Sequence, residues 1–153
     1  MNFKKFKLLY TWWVMLCTGF LPDLPVLMRF RGWLLSFVME DCGENFQVSA
    51  RACMRNITRL SVGNNVYFAP GMVINSISPI KIGDDVLVGF NSVIVSGNHK
   101  FDGKSYRFSK SDGSPIILND GCWVTSNCTV TSGSIIPART IVRPNTVVRR
   151  EKS

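Results

Sequence analysis

The chain contains a single histidine, His99, which ends the segment Gly97-Asn98-His99. Imidazole takes up and releases protons near neutral pH, so a histidine that faces a groove can act as a general base. A lone histidine is more often an ordinary surface or core residue, and the residue type alone leaves both roles open. Its position favours a chemical role, because His99 stands directly before a long polar segment, residues 100–117, that interrupts the pattern of the flanking sequence.

Other chemistries find no matching residues. One histidine cannot supply a three-histidine zinc site, and the cysteine spacings match no zinc motif, so we expect no metal. The sequence also lacks the Gly-x-Ser-x-Gly turn of serine hydrolases and the loops that hold nucleotide phosphates. The five cysteines form an odd set without a paired framework, which predicts reduced, buried thiols in a cytosolic protein. They are Cys17, Cys42, Cys53, Cys122 and Cys128.

A six-residue period after the polar segment identifies the elements that must position His99. Every sixth residue is aliphatic, and a small residue stands four positions after each of the first five. An α-helix would not keep residues six positions apart on one side, and a simple strand would show alternating apolar and polar residues. Short strands that turn a corner every six residues satisfy it, and three such sides close a triangular coil of about eighteen residues. The aliphatic positions are Leu118, Val124, Val130, Ile136, Val142 and Val148, and the small ones are Cys122, Cys128, Ser134, Thr140 and Thr146.

The same period extends towards the N-terminus in weaker form. It includes Val62, Phe68 and Ile74, slips by two residues at Ser78-Pro79, and resumes at Ile82, Val88 and Ile94. The slip predicts a bulge at one corner. Before Val62 we align Phe46 with an aliphatic position and Ala50 with a small one. Turn sequences expected at corners are Gly63-Asn64-Asn65, Gly83-Asp84-Asp85 and Asn119-Asp120-Gly121. We expect an all-β fold, a parallel β-helix of hexapeptide repeats over residues 43–150, with residues 100–117 as a protruding loop.

The N-terminal segment, residues 1–42, has a different composition. Basic residues at its start precede the uncharged run Leu8 to Leu21, which contains tryptophans and is too short to span a bilayer as a helix. A second apolar run extends from Val26 to Met39. This pattern predicts a helical hairpin. Its aromatic and basic residues suit a membrane interface, contacted through residues 1–40. It would equally suit a cap over the open end of the β-helix.

The charge of the chain predicts an acidic partner. The formal net charge is +8, which suits nucleic acid, an anionic membrane surface or a phosphate-bearing ligand. The repeat contains no known nucleic-acid-binding module and no interleaving of aromatic and basic residues, so we do not expect nucleic acid as the partner.

The hexapeptide pattern, Gly97-Asn98-His99 before the loop, and Asn119-Asp120-Gly121-Cys122-Trp123-Val124 after it resemble the hexapeptide-repeat acyltransferases of left-handed parallel β-helix fold. The resemblance is greatest to the small sugar and polysaccharide O-acetyltransferases, and it covers about residues 60 to 150. It implies an acetyl-CoA-dependent O-acetyltransferase that acts on a sugar hydroxyl in the biosynthesis of capsule, O-antigen or exopolysaccharide. It also implies a homotrimer with active sites between subunits.

Carried over by position, the resemblance assigns roles to several residues. His99 matches the general base that takes a proton from the acceptor hydroxyl. Trp123 matches a tryptophan that lines the acetyl end of the groove, and Ser126 matches a residue that contacts coenzyme A. Pro144 stands where relatives have a small residue whose backbone contacts coenzyme A. Asn75 is the nearest candidate for positioning the acceptor.

Arg149 and Arg150 fall where the family often has Thr-Lys beside the nucleotide. Guanidinium groups are suitable partners for the phosphates of coenzyme A. The alternative is a solvated basic tail. Two alternatives for the whole chain also stay open: an acetyltransferase for a free small molecule, such as serine, an amino sugar or a xenobiotic, and a non-catalytic β-helix scaffold.

Overall fold

The computed structural model describes residues 3–109 and 111–150. Met1, Asn2, Lys110 and residues 151–153, which belong to the predicted N-terminal segment, loop and basic tail, lie outside the described residues. Helix α1 spans Phe3–Thr18, helix α2 spans Pro25–Ser36, and a 3₁₀ helix spans Ile57–Arg59. The strands are β1 (Asp41–Cys42), β2 (Gln47–Val48), β3 (Cys53–Arg55), β4 (Leu60–Val62), β5 (Tyr67–Phe68), β6 (Val73–Asn75), β7 (Ile80–Ile82), β8 (Leu87–Val88), β9 (Val93–Val95), β10 (Asn98–His99), β11 (Ser111–Asp112), β12 (Ile116–Leu118), β13 (Trp123–Val124), β14 (Thr129–Thr131), β15 (Ile135–Ile136), β16 (Ile141–Val142) and β17 (Val147–Val148).

All the strands except β10 and β11 build a left-handed parallel β-helix, as the period and the family resemblance together lead us to expect. Three parallel sheets form the sides of a prism. Sheet 1 contains β1, β4, β7, β12 and β15, sheet 2 contains β2, β5, β8, β13 and β16, and sheet 3 contains β3, β6, β9, β14 and β17. The chain visits the three sheets in turn, and one such circuit is a coil, so the described residues contain about five coils.

The six-residue period is confirmed, because its aliphatic residues fill the interior of the prism on successive strands. Leu118, Val124, Val130 and Ile136 are at most 2% exposed. Each pairs with the equivalent residue of a neighbouring coil, as Leu118 does with Ile82 and Ile136. Full burial of one such side chain stabilises the fold by about 1.5–3 kcal/mol. The repeating column is therefore the main source of cohesion between coils.

The corners turn where the sequence tolerates a left-handed backbone. Between sheets 1 and 2, the residues with positive φ are Asn45, Asn65, Asp85, Gly121 and Arg139, and between sheets 2 and 3 they are Gly71, Asn91, Asn127 and Asn145. Glycine, asparagine and aspartate adopt this conformation at low cost, whereas Arg139 is an exception. Side chains also link the corners, since Asn45 Nδ2 donates to Asn65 Oδ1 and Asn65 Nδ2 donates to Asp85 Oδ1, both at 2.9 Å.

The first two coils are longer than the C-terminal ones. Cys42 pairs with Val62 and Val62 with Ile82, twenty positions apart, whereas Leu118 pairs with Ile136, eighteen positions apart. The additional residues lie at the corner between sheets 3 and 1, where coil 1 contains the 3₁₀ helix and coil 2 contains residues 76–79. The bulge predicted at Ser78-Pro79 is therefore confirmed.

The alignment of Phe46 with an aliphatic position and Ala50 with a small one is wrong by two residues. Val48, which pairs with Phe68, occupies the aliphatic position. Phe46 instead fills a small-residue position, where it is buried and meets the Phe68 ring edge to face at 5.0 Å between centroids. A large ring fits there because one side of the first coil packs against α2 and only its other side packs against a coil.

The helical hairpin of α1 and α2 covers the open end of this first coil. Helix α2 packs along β2, and α1 contacts α2 and β3. The approach is close at Gly32, where a Cβ atom would lie 2.0 Å from the Phe46 carbonyl oxygen. Among residues 3–109 and 111–150, neither helix combines the length and apolarity needed to cross a bilayer.

The prediction of buried cysteines is right for Cys122 and Cys128 and wrong for Cys17 and Cys53. The first two lie inside the prism, whereas the last two are exposed and Cys42 is intermediate. Cys53 alternates with the buried Met54 along β3 and so points outward. In the part of the chain that the structure describes, all the cysteines are free thiols.

Candidate active site

His99 lies on a short arm that leaves the β-helix between β9 and β12. Strand β10 leads into the arm and β11 returns from it, and their antiparallel pairing sets His99 opposite Ser111. The His99 side chain is exposed. No hydrogen bond or ion pair joins its imidazole to another residue of the described chain. The imidazole is therefore accessible from solvent, where a hydroxyl group could reach it.

The root of the arm is fixed by close packing. Ser96 is buried, and its Oγ donates to the Ser78 carbonyl at 2.6 Å and accepts from the Ser78 amide at 3.0 Å. A Cβ atom on Gly97 would lie 2.6 Å from Ile77 Cδ1, and one on Gly113 would lie 2.1 Å from the Ser96 carbonyl oxygen. The arm thus leaves against the Ile77 side chain and returns through Gly113, where a Cβ atom would require the backbone to shift, and this packing sets the place of His99 on the surface.

The arm is held together by polar contacts on either side of its exposed aromatic tip. Lys100 Nζ lies 2.7 Å from Asp112 Oδ2, and this bond lowers the pKa of the Asp112 carboxyl. Asp102 accepts from the amides of Ser105 and Lys104 at 2.7 and 2.9 Å, which lowers the pKa of its carboxyl. The aromatic residues Phe101, Tyr106 and Phe108 of the tip are exposed.

Asn75 lies on the same edge of the prism as the arm, one coil earlier. This arm edge consists of the corner between sheets 3 and 1, namely residues 56–59, 76–79, 96–109, 111–115, 132–134 and 149–150, together with the strand end Asn75. Asn75 ends β6, and its Oδ1 accepts from Asn56 Nδ2 at 2.7 Å. Beside it, a cavity of about 290 Å³ opens between α1 and residues 56–59, with Ser76 and Ile77 in its wall. Ile77 is also the side chain that abuts Gly97, so the cavity adjoins the root of the arm.

Trp123 and Ser126 lie elsewhere on the prism. Trp123 is on sheet 2 between Leu87 and Ile141, and its ring faces outward with 44% of its surface exposed. Ser126 follows at the corner between sheets 2 and 3, and Pro144 occupies the same corner one coil later. We call this corner, residues 49–52, 69–72, 89–92, 125–128 and 143–146, the second edge.

Buried hydroxyl groups brace the second edge beside Ser126. Ser92 Oγ donates to the Thr125 carbonyl at 2.6 Å, and Thr125 Oγ1 donates to the Val142 carbonyl at 2.7 Å. The Cys128 amide donates to Ser92 Oγ at 3.1 Å. These bonds connect three successive coils, so the backbone near Ser126 is firmly positioned.

Arg149 and Arg150 end the last described coil at the arm edge, and both are exposed. The aliphatic stem of Arg150 crosses Gly133, because its Cδ lies 3.1 Å from the point where a Gly133 Cβ would stand. The Ser114 side chain lies 3.4 Å from the same point, directly after the arm returns. The Arg150 stem therefore lies against the corner that borders the arm root.

The predicted site residues form two groups within one chain. The arm edge carries the first group: His99, Asn75, Arg149 and Arg150. The other group, Trp123, Ser126 and Pro144, lies across sheet 3, on the second edge or beside it. Sequence reasoning missed Ser96, Gly113 and Asn56, which fix the arm root and Asn75. The dipeptides Ser96-Gly97 and Gly113-Ser114 stand at the two ends of the arm, and this pairing of serine with glycine could have identified the arm root from the sequence.

Comparison with known proteins identifies the fold. No protein-family model and no curated protein sequence matches the chain. The hexapeptide-repeat containing acetyltransferase VCA0836 from Vibrio cholerae O1 biovar eltor, complexed with acetyl coenzyme A, matches with a TM-score of 0.76 at 20% identity, over 95% of this chain and 78% of that chain. A maltose O-acetyltransferase from Clostridium difficile 630 matches with a TM-score of 0.54 at 19% identity, over 100% of this chain and 90% of that chain.

A third solved structure is a mutant of AntD, an N-acyltransferase from Bacillus cereus, in complex with dTDP-4-amino-4,6-dideoxyglucose and coenzyme A. It has a TM-score of 0.57 and 14% identity, and the match covers 78% of each chain. Sequence identities this low establish similarity of fold. The chain therefore shares the left-handed β-helix of hexapeptide-repeat acetyltransferases.

Proposed function

We propose that this protein is an acetyl-CoA-dependent O-acetyltransferase whose acceptor is a sugar hydroxyl. The observation that carries the proposal is His99, the single imidazole of the chain, exposed on an arm whose root is rigidly packed. The similar structures support the two substrates. VCA0836 is complexed with acetyl coenzyme A, one neighbour is a maltose O-acetyltransferase, and AntD is in complex with a sugar nucleotide and coenzyme A.

In the proposed reaction His99 acts as the general base. Its imidazole takes the proton of the acceptor hydroxyl while the hydroxyl oxygen attacks the thioester carbonyl of acetyl-CoA. The new C–O bond forms, the C–S bond breaks, and the sulfur of coenzyme A leaves with the proton that the imidazolium returns. The protein supplies position and proton transfer, and no covalent enzyme intermediate is needed.

We infer that a second subunit of a homotrimer completes the site. Within one chain, sheet 3 separates His99 from Trp123 and Ser126. The arm also ends in exposed aromatic side chains, which a neighbouring subunit could cover. In a cyclic trimer the arm of one subunit would reach the second edge of the next, so that each site combines both groups. Its mass in solution would be three times the 17.2 kDa of the chain.

The donor and the acceptor would lie on opposite sides of His99. Trp123 would line the acetyl end of acetyl-CoA, with Ser126 and the backbone at Pro144 further along the pantetheine arm. The guanidinium groups of Arg149 and Arg150 would pair with its phosphates. Asn75 and the cavity beside it would receive the sugar acceptor, because they adjoin the root of the arm.

We place the reaction on the cytoplasmic side of the cell, where acetyl-CoA is made, and in the biosynthesis of a surface polysaccharide. A sugar acceptor that is still lipid-linked would be met at the cytoplasmic face of the membrane. Peripheral contact there through residues 1–40 would bring enzyme and acceptor together.

The test combines binding and turnover. Acetyl-CoA should raise the melting temperature of the protein, because a ligand that binds the folded state stabilises it. Release of free coenzyme A should then be followed with a panel of free and lipid-linked glycans. His99→Ala should lower turnover at least about a hundredfold and leave the Kd for acetyl-CoA nearly unchanged. Ser109→Ala, on the same arm, is the matched control and should retain turnover.

Each other outcome decides against part of the proposal. Undiminished turnover in His99→Ala would remove the general base. Turnover with serine or a xenobiotic but no glycan would favour a free small molecule as acceptor. No thermal shift with acetyl-CoA would favour a non-catalytic scaffold.

A further inference from the structure

The helical hairpin buries one side of each helix and exposes an apolar surface on the opposite side. On α1, Thr11, Val14 and Thr18 are buried at a spacing of three and four residues. Helical periodicity puts Leu9, Trp12, Trp13 and Leu16 away from these residues, and all four are exposed, as is Phe20 just after the helix. Phe20, at the end of the row, has 80% of its surface exposed.

Helix α2 repeats this arrangement. Met28, Arg31 and Leu35 are buried, whereas Val26, Phe30, Trp33 and Phe37 lie on the other side and are exposed. The rings form a continuous row, because Phe30 stacks on Trp33 at 6.0 Å and Trp33 meets Phe37 edge to face at 4.9 Å. We call the two rows together the outer face: Leu9, Trp12, Trp13, Leu16, Phe20, Val26, Phe30, Trp33 and Phe37.

The outer face is too extensive to be an ordinary protein surface. Single exposed apolar residues are common, but contiguous apolar patches mark interaction sites. A helix that is apolar on both its inner and outer sides is usually buried on both. The β-helix covers only the inner side of this hairpin, so the outer face requires a partner outside the described chain.

The charges around the outer face indicate an anionic partner. Residues 3–39 contain the basic residues Lys4, Lys5, Lys7, Arg29 and Arg31 against one acidic residue, Asp23. Asp23 and Arg31 pair with each other at the base of the hairpin. Lys5 and Arg29 are exposed beside the apolar rows. Tryptophan and phenylalanine flanked by lysine and arginine is the combination that suits the headgroup region of an anionic bilayer.

The composition of the outer face favours a bilayer over a protein. Protein interfaces carry about one hydrogen bond per 100–200 Å² and are only about as apolar as the rest of a protein surface. The outer face contains no carboxylate, amide or hydroxyl side chain, and its polar side-chain atoms are the indole N–H groups of Trp12, Trp13 and Trp33. Indole groups of this kind are enriched at membrane interfaces.

We propose that the outer face lies in the headgroup region of an anionic membrane, with both helices along the bilayer surface and the β-helix extending away from it. The arm root, on the third coil, would then stand about 10 Å above the first coil, since successive coils are about 4.8 Å apart. A short lipid-linked saccharide could reach that height. This last step rests on the proposed function, whereas the membrane contact rests on the hairpin alone.

The test is flotation of the full-length protein with lipid vesicles. It should bind phosphatidylcholine vesicles that contain about 30% phosphatidylglycerol, and bind vesicles of pure phosphatidylcholine at least about tenfold more weakly. Binding should decrease with salt and shift the tryptophan emission to the blue, because three tryptophans enter a less polar environment. The double substitution Trp13→Ser/Trp33→Ser should lower the partition coefficient at least about tenfold.

Two further variants separate apolar from electrostatic contributions. Ile135→Ser removes an exposed apolar residue of the last coil and should leave vesicle binding unchanged. Lys5→Glu/Arg29→Glu should weaken binding to anionic vesicles at least about tenfold and barely affect neutral ones. Melting temperatures equal to that of the unaltered protein would establish that each variant is folded.

Three outcomes would overturn the proposal. In the first the unaltered protein fails to bind anionic vesicles, and in the second Trp13→Ser/Trp33→Ser binds them as well as the unaltered protein does. In the third outcome neither protein binds vesicles and the variant has a lower oligomeric mass than the unaltered protein. The last outcome would make the outer face a contact between copies of the chain. His99→Ala should bind vesicles like the unaltered protein. Vesicle binding without acetyl transfer by the unaltered protein would refute the proposed function and leave the membrane contact standing.

Discussion

Arg31 and Asp23 form an ion pair that fastens the helical hairpin to the first coil of the β-helix. Arg31 Nη1 lies 3.4 Å from Asp23 Oδ1, and the same guanidinium donates to the Val48 carbonyl. Asp23 also accepts from Ser49 Oγ at 2.6 Å and from the Ala50 amide at 2.7 Å. Helix α2, the loop before it and the corner after β2 are therefore joined in one network.

Replacing Arg31 should loosen the hairpin. Its guanidinium is buried and also donates to the Thr18 and Leu21 carbonyls at 3.0 and 3.3 Å. Arg31→Met would remove one donor from each of these oxygens and the cation beside Asp23, which would keep Ser49 and Ala50 as donors. We expect a loss of about 3 kcal/mol in the free energy of unfolding. Arg29→Met, on the exposed side of the same helix, should change it by less than about 0.5 kcal/mol. Urea unfolding measures both, and equal midpoints would mean that the network contributes little.

The close packing at the arm root yields a second prediction. Gly113→Ala would place a Cβ atom 2.1 Å from the Ser96 carbonyl oxygen, so the arm must shift. Because His99 is the single histidine, its ring protons give an unambiguous NMR signal. We expect Gly113→Ala to move that signal and lower acetyl transfer at least about tenfold.

Gly103→Ala provides the comparison for the arm root. Gly103 lies at the tip, where its φ of +93° strains an alanine but no heavy atom lies within 4 Å of a Cβ. The His99 signal should stay in place in this variant. An unshifted signal in Gly113→Ala would mean that the arm root is more tolerant than its geometry indicates.

Much of the fold can be predicted from local sequence, because each coil needs the same kinds of residue: aliphatic side chains inside and residues that tolerate a positive φ at the corners. The aliphatic residue on most strands and the Asn, Asp or Gly at most corners are visible without any structure. The period fails at Phe46, where α2 covers one side of the first coil. The prediction of buried cysteines fails for Cys17 and Cys53, because burial depends on which side of an element faces the prism.

The site is harder to predict than the fold. His99 can be recognised in the sequence because it is the single histidine and precedes a long polar segment. Which residues lie near it in the fold depends on how many residues each coil contains. Ile82 pairs with Leu118 across the arm, thirty-six positions apart, so sequence separation says little about distance. The antiparallel pairing of β10 with β11 involves two residues on each strand, which is too short for a periodic signal.

The buried thiol of Cys122 predicts a loss of stability at alkaline pH. Burial raises the pKa of Cys122 to about 11, above its ordinary value of 9.0. The folded state therefore keeps a proton that the unfolded state releases, so this contribution is complete below about pH 9 and is lost as the pH rises through 11. It amounts to at most about 3 kcal/mol. Cys122→Ala should show a correspondingly flatter decline of the free energy of unfolding between these pH values, and an identical slope would argue against the shift.

The terminal arginines should affect acetyl-CoA binding selectively. Arg150→Ala removes a guanidinium next to the arm edge, and we expect the Kd for acetyl-CoA to rise about tenfold. Arg139→Ala, at the corner between sheets 1 and 2, removes an equal charge elsewhere and should change Kd less than twofold. Isothermal titration calorimetry measures both, and equal effects would favour the solvated basic tail.

A final prediction concerns the sharing of one active site between two chains. His99 and Trp123 lie on different parts of the prism within one chain, so a site that uses both must draw them from neighbouring subunits if the proposed trimer forms. His99→Ala and Trp123→Ala should each be nearly inactive alone. When the two variants are unfolded and refolded together in equal amounts, random assembly gives about a quarter of the sites an intact residue from each side, and activity should recover to about that fraction. Recovery requires subunit exchange, so mixing the folded variants without refolding is the control. If refolded mixtures remain inactive while the trimer re-forms, both residues must act within one chain, and the shared site is excluded.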